Sequence, residues 1–206
     1  MLKTIFWDFD GVILDSMAVR DFGFEQIFKA YEKSEVDALL HFHRINGGLS
    51  RYVKIRYFFN EILNSEISDE EVLNYASRFS DIMKKELIKK ENLITETVNY
   101  IKSNYDKYNF HIVSGSDQEE LRFLCKELGV AQYFLTINGS PTHKNILVSR
   151  ILETYNYSKS KCCLIGDSIN DLDAANHNKI SFFGFNNQEL NKNDLSYIEN
   201  FSKFYF

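Results

Sequence analysis

Five short apolar runs rich in β-prone residues constrain this chain more than any other feature: Thr4–Trp7, Phe110–Ser114, Tyr133–Ile137, Cys162–Ile165 and Ile180–Phe183. Each is continuous, as in a strand buried on both faces. Helical patterns separate the last four. Buried strands alternating with helices predict a doubly wound, mostly parallel α/β sheet with helices on both sides.

One stretch breaks that order. From Asp15 to about Glu86 no strand pattern occurs. Phe24, Ile27, Phe28 and Tyr31 stand at helical spacing, as do Val36, Leu39 and Leu40. A longer stripe runs through Val72, Tyr75, Ala76, Phe79 and Ile82, and Ser68 with Glu71 reads as its capping box. These stripes are core-packing faces. The expectation is a four-helix insertion after the first strand, a helical unit over residues 15–86, with an α/β core over 1–14 and 87–206.

Composition removes several classes. With 44% hydrophobic residues, 18 Phe and 12 Tyr, the 206-residue chain can offset its chain entropy by burial, so disorder is excluded. Twenty-four basic against 29 acidic side chains, a net charge of −5, argue against a nucleic-acid partner. No run approaches the roughly 18 apolar residues of a membrane span. No secretory signal is visible, and Cys125, Cys162 and Cys163 form no CxxC, so a cytoplasmic protein with buried thiols is expected. Nothing in the sequence points to a protein partner.

The chemistry sits at strand ends. Asp8 and Asp10 follow the first strand, and alternation puts both on one side with Phe9 opposite. Two carboxylates there are costly to bury unless a cation or protons compensate. Gly11 permits a sharp turn. Asp167 ends the fourth strand, and Asp171 follows one helical turn later. Ligand sites of open parallel sheets lie at such carboxyl ends, and clustered hard oxygens suit Mg²⁺. Ser114-Gly115-Ser116 follows the second strand and reads either as an anion-binding helix start or as a plain capping box from Ser116 to Glu119. Lys144 stands at a helix start, where the helix dipole disfavours a cation.

Taken together, Asp8-Phe9-Asp10-Gly11-Val12, Ser114, Lys144 and Gly166-Asp167 with Asp171 resemble the four motifs of the haloacid dehalogenase superfamily, in order and at the right strand ends. The insertion resembles the helical cap of the branch containing phosphoglycolate phosphatase and β-phosphoglucomutase. Ile13–Ser16, with Asp15, resembles that branch's hinge. The resemblance implies Asp8 as nucleophile forming an aspartyl-phosphate and Asp10 as acid, then base. It implies Mg²⁺ on Asp8, the Asp10 carbonyl and Asp167, with Asp171 ordering metal-bound water or Lys144. Ser114, Gly115 and Lys144 would hold the phosphoryl oxygens. Asn145 stands where this motif commonly carries Pro.

Asp10 also discriminates within the superfamily, since dehalogenases lack that Asp and transport ATPases carry Thr. The expectation is a phosphatase acting on a small phosphorylated metabolite, either a sugar phosphate or a phospho-acid. A β-phosphoglucomutase-like mutase is the alternative, and a non-catalytic phospho-ligand-binding module comes third. A response-regulator receiver is disfavoured by the insertion, and nucleotide-binding fingerprints are absent. Arg44–Arg51 interrupts the helices and resembles the branch's specificity loop, with Gly47-Gly48 as a tight turn and Ser50 as a helix cap. Arg51 or Arg44, beside Gly48, would clamp an anionic group such as a second phosphate. Tyr52, Tyr57, Phe58 and Phe59 read as cap core. Gly11–Ser16 and Lys85–Leu93 are the expected hinges for a cap moving over 17–85.

Overall fold

Residues 2–191, 196–201 and 204 are described by a computed structural model. Six strands form one sheet: β1 (Thr4–Trp7), β2 (Asn109–Asp117), β3 (Thr136–Ser140), β4 (Cys162–Gly166), β5 (Ser181–Phe185) and β6 (Tyr197–Ile198). Their spatial order is β3-β2-β1-β4-β5-β6, and every neighbouring pair is parallel. The chain adds strands on one side of β1 and then crosses to the other, so the switch point lies between β1 and β4. Trp7 is level with Ile165 there, which brings Asp8 beside the end of β4.

Strand alternation divides the core. Ile5, Trp7, Phe110, Ile112, Cys163 and Ile165 pack on one face with α5 (Thr95–Asn104) and α6 (Gln118–Glu127). Phe6, Val113, Cys162, Leu164 and Phe182 pack on the other with α7 (Lys144–Thr154) and α8 (Ile169–Asn178). All three cysteines are buried and free. Among the described residues, no helix is long and apolar enough to cross a membrane.

The insertion holds four helices: α1 (Met17–Ile27), α2 (Lys33–Ile45), α3 (Arg51–Tyr57) and α4 (Asp69–Glu86). A π turn at Phe58–Ile62 continues α3. The Ser68–Glu71 capping box forms, and Ser50 caps α3 by accepting from the Val53 N–H. Phe24, Phe28, Phe58, Phe59 and Phe79 make an aromatic centre, with Phe28 and Phe58 ring centroids 4.2 Å apart. The two crossings between insertion and core are joined: the Asp15 N–H donates to the Asn92 carbonyl at 2.8 Å, and the Ile94 N–H to the Ile13 carbonyl at 3.0 Å.

Three local expectations need correcting. The third strand begins at Thr136, not Tyr133, because Ala131–Tyr133 close a 3₁₀ turn and Leu135 makes the first bond to the sheet, at the Phe110 carbonyl. The second strand continues through Gly115 and Ser116, so these residues do not open a helix. Asp117 caps α6 instead, accepting from the Glu119 and Glu120 N–H groups, and no capping box joins Ser116 to Glu119. The two-residue β6 carries no periodicity of its own.

Candidate active site

The carboxyl ends of β1 and β4 gather three acids. Carboxylate oxygens of Asp8, Asp167 and Asp171 lie within 4.8 Å of one another. Asp8 is buried, and its Oδ1 accepts the Phe9 N–H at 2.8 Å. Lys144, at the first turn of α7, places Nζ 2.9 Å from that same oxygen and pairs with Asp171 Oδ1. The other Asp171 oxygen accepts from the Ser168 backbone and hydroxyl, closing the capping box of α8. Asp171 is thus spent on holding Lys144 and its own helix. Asp167 makes no ion pair among the described residues.

Three carboxylates facing one ammonium leave the cluster with excess negative charge, and the protonation chemistry reflects it. Burial, then the Asp171 charge, pushes Asp8 above the usual carboxylate range against the pull of Lys144. Burial, then Asp8 and Asp171, pushes Asp167 well up. Burial opposes the charge on Lys144, but Asp171 and Asp8 outweigh it and hold the ammonium. A divalent cation on Asp8 and Asp167 relieves this excess, and the donors are the hard oxygens Mg²⁺ takes. The residues present therefore fit the ion. Gly11 makes the approach possible. Its φ is +74°, and a Cβ there would lie 1.9 Å from Asp167 Oδ2.

Asp10 has separate surroundings. Its Oδ1 accepts from Ser16 Oγ at 2.5 Å and from Arg20 Nε at 2.7 Å, and its Oδ2 from Ser116 Oγ at 2.5 Å. Burial would raise its pKa, but the Arg20 charge and then the Ser116 and Ser16 hydroxyls hold it below the usual range. Asp8 and Asp10 line one cleft of about 680 Å³ with Asp15, Asp167 and Arg44. Ser114 is buried and its Oγ accepts the Ser116 N–H at 3.0 Å. Lys144 and Gly115 also line a second cavity, of about 240 Å³, with Ser140, His143 and Asn170.

The loop before α3 sits directly on this site. A Cβ on Gly115 would meet the Gly48 carbonyl at 2.3 Å, and one on Gly48 would meet Ser168 Oγ at 2.8 Å. The two arginines are both paired within the protein. Arg44 is exposed at its tip and binds Asp21 on α1, with Nη2 2.8 Å from the carboxylate. Arg51 is buried and paired bidentately with Glu120 on α6, at 2.5 and 2.7 Å. Tyr52 is not simply cap core, since its hydroxyl donates to Asp117 at 2.7 Å.

Arg20 and Glu120 are the site residues that sequence reasoning did not single out, and Ser116, read there as part of an anion site or a helix cap, binds Asp10 instead. Arg20 follows Ser16 by four residues, so both face Asp10 from the start of α1. That spacing was a usable signal. Glu120 gave no such signal, because an acid in a first helical turn ordinarily serves the helix dipole.

A family model described as haloacid dehalogenase-like hydrolase matches residues 5–185. Among solved structures, beta-phosphoglucomutase from Clostridium difficile is similar at TM-score 0.75 and 19% identity, covering 100% of this chain and 94% of its own. A predicted phosphoglycolate phosphatase from Haemophilus somnus is similar at TM-score 0.72 and 14% identity, with 98% and 95% covered. CbbY from Rhodobacter sphaeroides, in complex with xylulose-(1,5)bisphosphate, gives TM-score 0.78 at 12% identity, with 98% and 96% covered. At these identities the likeness establishes the fold. No curated protein matches the sequence significantly.

Proposed function

The chain belongs to the haloacid dehalogenase-like hydrolase family, and from that premise we propose that it is a Mg²⁺-dependent phosphatase of small phosphate monoesters. The observation that carries this reading is the Asp8 carboxylate at the end of β1, 2.9 Å from Lys144 and inside a cluster of acids with too little positive charge. Mg²⁺, held by Asp8, the Asp10 carbonyl and Asp167, would supply positive charge for the transferring phosphoryl group.

The rest falls to the protein. Asp8 attacks phosphorus, forming an aspartyl-phosphate as the bond to the leaving oxygen breaks. Lys144 and the Ser114 hydroxyl, with the backbone at Gly115, hold phosphoryl oxygens in a preorganised clamp. Asp171 keeps Lys144 charged and aimed. The proton carried by the phosphate monoester monoanion passes by way of Asp10 to the leaving oxygen, and the ionised Asp10 then accepts one from the water that cleaves the acyl phosphate. With Arg20, Ser16 and Ser116 on its oxygens, Asp10 is held in the ionised form that the second step needs. The Gly48 loop, seated over Gly115, excludes water during the first step. The cap over residues 15–86 swings on its paired crossings to admit substrate and water.

One structural neighbour is a beta-phosphoglucomutase and another is in complex with xylulose-(1,5)bisphosphate, which supports a small phosphorylated metabolite as substrate. Phosphate release from a metabolite panel tests the function. Release is expected with Mg²⁺, and it is expected to vanish with exhaustive EDTA and with Asp8→Asn. Full activity of metal-stripped protein, or of purified Asp8→Asn, refutes it.

A further inference from the structure

We infer that this phosphatase selects monophosphates whose leaving group carries no second anion, because the buried carboxylate of Glu120 occupies the fork of Arg51. The inference rests on the proposed function and concerns the same site. A second phosphate or a carboxylate on the substrate needs an unpaired cation in the cap. Arg51 is the residue whose type and position suggest one, and its fork is taken. Nη1 donates to Glu120 Oε2 at 2.5 Å and to Ser80 Oγ at 2.6 Å, and Nη2 donates to Glu120 Oε1 at 2.7 Å. The guanidinium lies over the Phe79 ring at 4.7 Å. Nε alone lacks a partner, and the adjoining cavity of about 20 Å³ has room for little more than one water.

The other cations lining these cavities are occupied too. Arg20 spends Nε on Asp10 and Nη2 on Ser116, and its Nη1 lies 3.3 Å from Glu120. Lys54 Nζ is held by His43 Nδ1 at 2.8 Å and by the Gly47 carbonyl at 3.0 Å. Burial, with Arg20 next, lowers that amine to about 7. Arg44 is bound to Asp21. An anion seeking Arg51 would therefore have to displace Glu120, stranding a fully buried carboxylate, or settle beside it against like-charge repulsion. A neutral hydroxylated leaving group meets neither obstacle. The bisphosphate that a mutase cycle requires is disfavoured on the same ground.

Matched substrate pairs test this: sn-glycerol 3-phosphate against 3-phosphoglycerate, and glucose 6-phosphate against glucose 1,6-bisphosphate. In the wild type, kcat/KM is expected to favour the neutral member by about tenfold or more. Glu120→Gln is expected to shrink or reverse that ratio by about tenfold, through a lower KM for the anionic member. The double variant Arg51→Gln with Glu120→Gln lacks the fork and is expected to keep the wild-type preference, which separates a freed arginine from a loosened cap. A wild type that prefers the anionic members overturns the inference, as does a folded Glu120→Gln that leaves the ratio unmoved. Where Glu120→Gln does not fold, the wild-type ratio and the double variant decide. A protein that releases no phosphate from any ester loses the proposed function instead. Calorimetric binding of the same pairs to that protein then reads the preference directly.

Discussion

Gly11→Ala probes the tie between backbone geometry and metal chemistry. Two separate costs follow from the structure. The first is conformational: φ at this position is +74°, where an L side chain costs about 1–2 kcal/mol. The second is steric. The new Cβ would lie 1.9 Å from Asp167 Oδ2 and 2.6 Å from its Cγ, whereas real Cβ atoms essentially never come closer than 3.0 Å. The Oδ2 atom must retreat by more than 1 Å. The Asp167 carboxylate then rotates out of the cluster it forms with Asp8 and Asp171. A mis-set ligand costs about 10–100-fold in metal affinity, so the Mg²⁺ concentration at half-maximal activity should rise by about that factor. Denaturant unfolding in EDTA reads the first cost, and magnesium titration of phosphate release reads the second. A variant that loses stability as expected yet keeps wild-type Mg²⁺ dependence refutes the steric reasoning. It would mean that Asp167 is not a ligand or can move without consequence.

Lys144→Gln leaves the buried Asp8 and Asp171 carboxylates without their cation, and metal-free stability at neutral pH is expected to fall by about 3 kcal/mol. Chemical denaturation checks this, and Mg²⁺ should recover part of the loss. Arg20→Ala frees the Asp10 carboxylate, and kcat is expected to drop by about tenfold or more while Mg²⁺ dependence is kept. Steady-state kinetics would expose an unchanged kcat. His111 is enclosed between β1, β3 and Tyr157, and burial lowers it from 6.5 to about 4. Its folded pKa lies below its unfolded one, so the stability it contributes is present above pH 6.5 and is lost as pH falls toward 4. Between pH 7.5 and 4.5 the wild type should lose on the order of 2–3 kcal/mol more than His111→Gln. Parallel stability curves would refute this.

Particular residues show what was readable and why. Asp8, Asp10 and Asp167 could be placed because a continuous apolar run ending in an acid marks a strand end within a few residues. Ser68 and Glu71 could be placed for the same reason, since a capping box is complete in four positions. Where two local signals competed, the wrong one was open to choice. Ser116 and Asp117 both offer a side-chain oxygen before α6, and the chain uses Asp117 because β2 carries Ser116 on into contact with Asp10. The start of β3 was misplaced because Tyr133 and Phe134 are as β-prone as true strand residues but lie in a turn and its exit.

By itself, then, the sequence determined the parallel sheet, the helical insertion and the positions of the acids and the lysine. The sheet, the insertion and the acids at strand ends follow from periodicity and turn chemistry over short spans, and Lys144 was placed in the site by the resemblance of its motif to the superfamily's. Only the tertiary structure decided which charges neutralise which. Arg51 and Glu120 are 69 residues apart, and Arg20 and Glu120 are 100 apart. An arginine on a helix reads the same whether it ends in water, on a substrate or on a buried glutamate. The choice depends on the seating of the insertion over β2 and α6. That seating is set by the packing of whole helices, and no local pattern records it. The physical reason is that an ion pair depends on distance and desolvation in three dimensions, while strand and helix patterns depend on neighbours along the chain.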